Sequence, residues 1–289
     1  VLSVIGGWFF TAFIAFVACG IIAFLINLGG PSAIAILLFL ALIILARNYI
    51  SHKKEIDHIK SEDALNVAES SSIQGLIIES SNNVAKVSKK IKKIYKSAIE
   101  GLATQNLNEL KSNKKDVKYL SEEIDNLRDG LFYFIKNLDE STIKGASNFY
   151  INILGSLQDI AQSLEYIAKI TFKHVNNNHK SLTFNQIREL KEINLQLDIL
   201  FERIKYSFSK NNFKEINNIL GTEQSLYDSV KEKINIQISR TKEEESSPKN
   251  TTLYFSILTE TKDLIKATVS LLKLYNEEYD SKIDPPKLS

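Results

Sequence analysis

The sequence has few of the residues that hold proteins together through covalent bonds or metals. Its 289 residues include one cysteine and four histidines. A single cysteine, Cys19, excludes an internal disulfide framework and a zinc site built from several cysteines. His174 and His179 lie in a loop-like segment without neighbouring cysteines or a carboxylate cluster, so the sequence predicts no zinc site there.

Glycine-rich loops of the kind that cradle phosphates are also missing. No other motif supplies residues for an enzymatic reaction, so we expect the chain not to be an enzyme. The formal net charge of +2 points to no class of partner. Nucleic acid is not expected to bind, because no recognition motif accompanies the lysines.

Charge is missing from residues 4–46, whereas the rest of the chain is rich in Lys, Glu, Asp and Asn. The stretch is too long for a secretory signal and lacks a basic beginning. Two glycines and a proline within residues 27–32 end one helix and begin another. Residues 2–28 would form a helix about 40 Å long, and residues 31–50 a shorter one. The sequence predicts a transmembrane helical hairpin over residues 1–50, the alternative being a buried hairpin of a soluble protein.

The positive charges that follow this stretch predict its orientation. Arg47, Lys53 and Lys54 come after the second arm, and the turn between the arms has no Lys or Arg. The positive-inside rule then puts the later residues in the cytoplasm, and two crossings put Val1 there as well. Methionine is absent from the chain, including its first position. We therefore expect the C-terminal part of a longer, multi-pass protein of the inner (plasma) membrane.

Small residues form a stripe on the first arm. Ala12, Ala15, Cys19 and Ala23 follow helical spacing. Small side chains let helices approach closely in lipid. We expect this arm to pack against upstream helices that are not in this chain; the alternative is a simple two-helix anchor.

Beyond residue 50, apolar residues recur at the three- and four-residue steps of packed helices. One such series is Val117, Leu120, Ile124, Leu127, Leu131, Phe134 and Leu138. No stretch alternates with a period of two, so the fold class is predicted to be all-α. Thr183 and Gln186 form a capping box before one helix. Six helices are predicted, at residues 62–103, 107–137, 142–176, 184–210, 213–239 and 248–280. They form a helical domain over residues 51–280, followed by a tail at 281–289.

Lysines are concentrated near the start of this domain. They are Lys86, Lys89, Lys90, Lys92, Lys93 and Lys96. A basic helix close to a membrane can bind anionic lipid headgroups. The alternative is a solvated face balanced by acidic neighbours.

Carboxylates share one side of the second helix of the domain. Glu122, Asp125 and Asp129 are spaced by three and four residues. Carboxylates stacked in this way can coordinate a divalent cation. The alternative is an ordinary solvated helix face.

Several segments resemble one family of phosphate-regulatory domains. Residues 122–138, EEIDNLRDGLFYFIKNL, are similar to a helix of PhoU-type domains, and residues 253–272 to the corresponding helix of their second three-helix unit. Residues 157–171, LQDIAQSLEYIAKIT, resemble the partner helix that carries a Glu-Arg-Ile-Ala-Asp element. Here Glu165 is present, but Tyr166 and Lys169 replace the arginine and the aspartate.

The apolar segment at the start of the chain resembles a second protein family. Residues 3–16, SVIGGWFFTAFIAF, with Trp8 three positions before Thr11, resemble the final membrane helices of the PiT family of inorganic phosphate transporters. The Gly-Ala-Asn-Asp signature of that family is absent here, and the resemblance places it upstream of Val1.

Together these resemblances imply the C-terminal part of a cation-coupled inorganic phosphate transporter with a PhoU-like cytoplasmic domain of two three-helix units. They imply inorganic phosphate as substrate, Na⁺ or H⁺ as coupling ion, a divalent metal on the PhoU-like domain, and a homodimer. Two alternatives stay open. One is a sodium–phosphate cotransporter of the other family that carries PhoU-like domains. The other is a membrane-anchored helical signalling or scaffold protein.

Overall fold

A computed structural model of the chain describes residues 13–43 except 18, 33, 35 and 41, and then residues 65–66, 70, 72–136, 143–243 and 247–279. Nearly all of these residues are helical, and none of them is in a strand. The predicted all-α class is confirmed. The chain divides into two compact units, Val1–Glu62 and Asp63–Ser289.

Among the described residues of the first unit, one helix, α1 (Phe13–Ser32), is long and apolar enough to cross a membrane. None of its described residues is buried within the protein. Gly30 has a φ of 53°, in the left-handed region that glycine adopts without a steric penalty. Residues 27–32, where the sequence predicts the end of one helix and the start of another, are all helical, so the structure shows only this local distortion at Gly30. Residues 34, 36–40 and 42–43 are also helical.

Several predictions for the first unit lie outside the described residues. They concern the end of the second arm at 44–50, the charges at Arg47, Lys53 and Lys54, and the residues Trp8, Thr11 and Ala12. The tail at 281–289 lies outside them too.

The second unit is built from six long helices. They are α2 (Ile73–Ala103), α3 (Leu107–Lys136), α4 (Ile143–Asn176), α5 (Phe184–Ser209), α6 (Ile216–Glu243) and α7 (Pro248–Glu278). A short 3₁₀ turn, Phe213–Glu215, leads into α6. The predicted capping box is present, with the Thr183 side chain accepting from the Gln186 backbone and the Gln186 side chain accepting from the Thr183 backbone.

The start of α2 was predicted too early, at residue 62. Residues 65, 66 and 70 are not helical, and α2 begins after Ser72, whose hydroxyl accepts from the Gly75 backbone at 3.0 Å. Asn83 pins the preceding segment, because its side-chain amide exchanges two hydrogen bonds with the backbone of Asn66. Serine and asparagine side chains compete for backbone groups, and they end the helix that apolar spacing alone would extend.

Three connections between helices use the same geometry. Gln105, Asn178 and Asn211 have φ values of 54°, 51° and 51°. In each case the backbone N–H of the following residue bonds back to a carbonyl five residues earlier, as in Asn106 to Gly101 at 2.9 Å. This is the Schellman ending of a helix, and asparagine tolerates its left-handed position. The predicted breaks at these three places are confirmed.

Helices that follow one another in the chain pack together within each half of the second unit. In the first half α2 packs on α3 and α3 on α4; in the second half α5 packs on α6 and α6 on α7. The most extensive pairings, α4 with α7 and α2 with α5, join the two halves. The six helices therefore share one body. The two three-helix units stay a prediction, because α2 packs on α4 in the first half whereas α5 makes no comparable contact with α7 in the second.

An aromatic cluster lies where the halves meet. Tyr275 of α7 packs edge-on against Phe208 of α5, with ring centroids 4.8 Å apart, and against Phe149 of α4 at 5.5 Å. The Tyr275 hydroxyl also bonds to Ser80 of α2 at 2.7 Å. Burying each large apolar side chain contributes about 1.5–3 kcal/mol. These rings therefore tie α7 to both halves of the core.

Candidate functional site

The carboxylates predicted as a metal site lie on a partly exposed side of α3. Glu122 is 3.1 Å from Lys118, and Asp125 is 3.1 Å from Arg128. Asp129 is exposed. Two of the three carboxylates are thus already neutralised by cations one helical turn away.

A groove between α3 and α4 includes two of these residues. Its charged lining comprises Lys114, Lys118, Glu122, Asp125, Glu165 and Lys169. Lys169 stands where the resemblance requires an aspartate. Cations and carboxylates therefore alternate, an arrangement that repels a divalent metal as much as it attracts one. Within the described part of the chain, no three His, Cys, Asp or Glu side chains come together as a group that could hold a metal ion. The metal site stays a prediction, with no matching cluster.

The lysine block of α2 is largely engaged within the protein. Lys90 pairs with the buried Glu123 of α3. Lys93 lies 2.9 Å from Asp116, which is also on α3. Lys92 bonds to Glu202 of α5 at 2.5 Å and lies 3.3 Å from Asp198. Acidic neighbours therefore balance this face, as in the second of the two alternatives, and the lysines connect α2 to α3 and α5.

His174 and His179 take part in a helix-to-helix connection. Burial lowers the pKa of His174, and its Nε2 lies 3.0 Å from the backbone carbonyl of Lys180. The two rings pack with centroids 5.2 Å apart. These contacts shape the turn between α4 and α5.

A buried carboxylate that the sequence analysis missed links α5, α6 and α7. Both oxygens of Glu189 accept from the Arg240 guanidinium, at 2.7 and 3.1 Å, and the Tyr254 hydroxyl donates to the same carboxylate. Burial by itself raises the pKa of Glu189, but the bonds from Arg240 and Tyr254 outweigh it and hold the pKa below its usual value. This fully satisfied group orders the three helices.

Glu223 of α6 is the second buried carboxylate, and its surroundings differ. Its side chain is 1% exposed. Neither carboxylate oxygen has a hydrogen-bond partner among the described residues. Burial raises the pKa of Glu223 to about 8, although the charge of Lys273 opposes the shift. Glu223 is therefore largely uncharged at neutral pH.

The position of Glu223 in the sequence contains a signal. Ile216, Ile219, Leu226 and Val230 are buried core residues of α6, and Glu223 falls in the same series of three- and four-residue steps. Burying a carboxyl group among apolar residues is unfavourable, so a glutamate at this position indicates a role other than packing.

Glu223 lines a cavity of about 480 Å³ between α6 and α7. The other residues of this α6–α7 cavity are Leu220, Gln224, Tyr227, Lys266, Val269, Ser270 and Lys273. It combines apolar side chains with two lysines, two hydroxyls, an amide and a buried acid. Such a set of convergent polar groups on an apolar wall is typical of a binding site for a small ligand.

Comparison with known proteins adds no further identification. The chain matches no protein-family model and no curated protein. The resemblance to PhoU-type domains and to PiT transporters therefore rests on the segments quoted above.

Proposed function

We propose that this chain is the C-terminal part of a cation-coupled inorganic phosphate transporter, and that its helical unit after residue 63 regulates transport. The observation that supports the proposal is two successive runs of three long helices, α2–α3–α4 and α5–α6–α7, in the same chain as an apolar helix of bilayer length. Two successive three-helix units are what a PhoU-like domain requires. An apolar helix before them is what a transporter's final membrane segment requires.

The proposal places the protein in the inner (plasma) membrane, with several crossings and a cytoplasmic regulatory unit. Arg47, Lys53 and Lys54 support this orientation through the positive-inside rule. The described residues of α1 carry no charge. Bound ions and substrates inside a membrane are held by polar or ionisable groups. The phosphate path and the coupling-ion site, for Na⁺ or H⁺, are therefore assigned to upstream helices outside this chain.

Regulation requires a surface that binds differently to the two transport states, because a domain shifts an equilibrium only by its differential affinity. We place this contact on the charged face of α3 around Glu122, Asp125 and Asp129. The lysines of α2 are a weaker candidate for this contact, since carboxylates within the unit already pair with Lys90, Lys92 and Lys93.

Truncation tests the proposal. In the full-length protein, the residues after 55 of this chain are deleted, and phosphate uptake is measured at low and high external phosphate. We expect uptake to persist and its response to phosphate to change. A triple variant, Glu122→Gln, Asp125→Asn and Asp129→Asn, should reproduce the altered response, whereas Glu232→Gln on the exposed side of α6 should not.

Other outcomes separate the alternatives. Unchanged uptake with an unchanged response would favour an assembly or scaffold role. Loss of uptake by a truncated protein that still inserts would also contradict a modulating role. Sequencing the coding region upstream of Val1 distinguishes the two transporter families, because only the PiT family carries the Gly-Ala-Asn-Asp element.

A further inference from the structure

The α6–α7 cavity contains a carboxyl group that nothing in the described protein satisfies. A buried polar group without a hydrogen bond is unfavourable, because it has lost its bonds to water and gained none in the protein. Both oxygens of Glu223 are in this position. Glu223 is also one of the residues that line the cavity. An orphan group at the wall of a cavity is a group to which a ligand can bond.

The groups around Glu223 indicate the charge of that ligand. Lys266, Ser270 and Lys273 are spaced by four and three residues on α7, so they share one helix face. Gln224 and Tyr227 contribute an amide and a hydroxyl from α6. The cavity thus presents two ammonium groups and several neutral donors, with one carboxyl that burial keeps uncharged. An ammonium or metal ligand would meet the two lysines, so the arrangement favours an anion.

We propose that the α6–α7 cavity binds a tetrahedral oxyanion of the phosphate class, with the unpartnered carboxyl group of Glu223 bonding to one ligand oxygen and Lys266 and Lys273 neutralising its charge. A tetrahedral anion presents acceptor oxygens in several directions, which suits donors that converge from two helices. The cavity alone supports an oxyanion; the choice of phosphate over other oxyanions rests on the proposed function.

The site couples anion binding to a proton. Two charged side chains of α7, Lys266 and Lys273, line the cavity beside Glu223. Asp263 lies 3.6 Å from the ammonium group of Lys266. On α5, Arg203 donates to Thr222, next to Glu223, at 2.8 Å. A bound anion favours the protonated acid, so it raises the pKa of Glu223 further. Affinity is therefore greatest below about pH 8 and falls as pH rises through that value.

Calorimetric titration of the purified full chain in detergent tests the site. Sulfate, whose charge is constant between pH 6 and pH 9.5, serves as the primary probe beside inorganic phosphate and glycerol phosphate. We expect sulfate affinity to fall by roughly tenfold between pH 7 and pH 9. Comparing the three anions distinguishes free phosphate from a phosphate ester as the ligand.

Substitutions assign the binding to this cavity. The double variant Lys266→Met and Lys273→Met should weaken binding by more than about tenfold, since it removes two charged hydrogen bonds to the anion. Lys249→Met, an exposed lysine at the start of α7, is the matched control and should bind normally. Glu223→Gln keeps a donor but cannot titrate. It should retain binding and lose the pH dependence.

Three results would overturn the proposal. They are no binding by the unmodified chain at millimolar anion, binding that the double lysine variant leaves intact, and a Glu223→Gln variant with an unchanged pH profile. Circular dichroism checks that each variant is folded. Because the titration needs no transport, its failure leaves the proposed function standing, and failure of the uptake experiment leaves the anion site standing.

Discussion

Two buried glutamates show how neighbouring groups decide the charge of the same side chain. Glu189 accepts from Arg240 and Tyr254 and stays ionised. Glu223 lies among Ile219, Leu226 and Val230 in the core series of α6 and has no donor in the described protein. The pKa of Glu189 is therefore lowered and that of Glu223 raised, so the two groups change the stability of the fold in opposite directions as pH rises.

The first prediction concerns Glu223. Its pKa rises from 4.5 to about 8 on folding, so the folded chain binds the extra proton and stability falls as pH increases between these values. Glu223→Gln removes this fall and should raise the free energy of unfolding at pH 7 by on the order of 3 kcal/mol. Urea unfolding at pH 4.5, 7 and 8.5 measures it. The exposed Glu232→Gln should follow the unmodified protein at every pH.

The second prediction concerns Arg240. Arg240→Met leaves the carboxylate of Glu189 buried without its strongest partner and should destabilise the unit by about 3 kcal/mol at pH 7. The difference in stability between the variant and the unmodified protein should become smaller as pH falls. The reason is that Glu189 has a lowered pKa in the unmodified protein, and protonation removes the charge that Arg240 stabilises. The double variant Glu189→Gln, Arg240→Met should recover much of the loss in urea unfolding. A double variant no more stable than Arg240→Met would contradict this account.

At the scale of single helices, the sequence contains most of the information needed. Apolar spacing locates α3, α4, α5 and α7 to within a few residues, since a buried stripe needs a period of 3.6. The start of α2 was missed because serine capping and the Asn66–Asn83 bonds depend on tertiary contacts. The roles of Glu189 and Glu223 could not be predicted from the sequence, because they depend on which side chains of other helices lie beside each carboxyl group.

The third prediction concerns the start of α5. Thr183→Ala removes the side-chain half of the capping box and should lower the free energy of unfolding by about 1 kcal/mol. Thr252→Ala, an exposed threonine in the first turn of α7, is the control and should change stability by less than about 0.5 kcal/mol. Equal effects of the two substitutions would argue against a contribution from the cap.

At the scale of the whole second unit, the shared core makes the helices interdependent. The fourth prediction is that residues 63–289 unfold in one cooperative helical transition, whereas fragments 63–180 and 181–289 do not fold alone. The reason is that α4 packs most extensively on α7 and α2 on α5, across the two halves. Circular dichroism during urea titration measures it. A cooperative transition of fragment 63–180 by itself would show that the halves are independent.

This interdependence has a consequence during synthesis of the protein. The faces of α2 and α4 that pack on α5 and α7 have no partner while the ribosome is still translating the second half. At about 5–20 residues per second, the remaining helices take roughly 5 to 20 s to be synthesised. During that interval the nascent chain displays apolar helix faces to chaperones and proteases. A stop codon within α7 would make that exposure permanent, so loss of the last 30 or so residues would remove the whole unit rather than one helix.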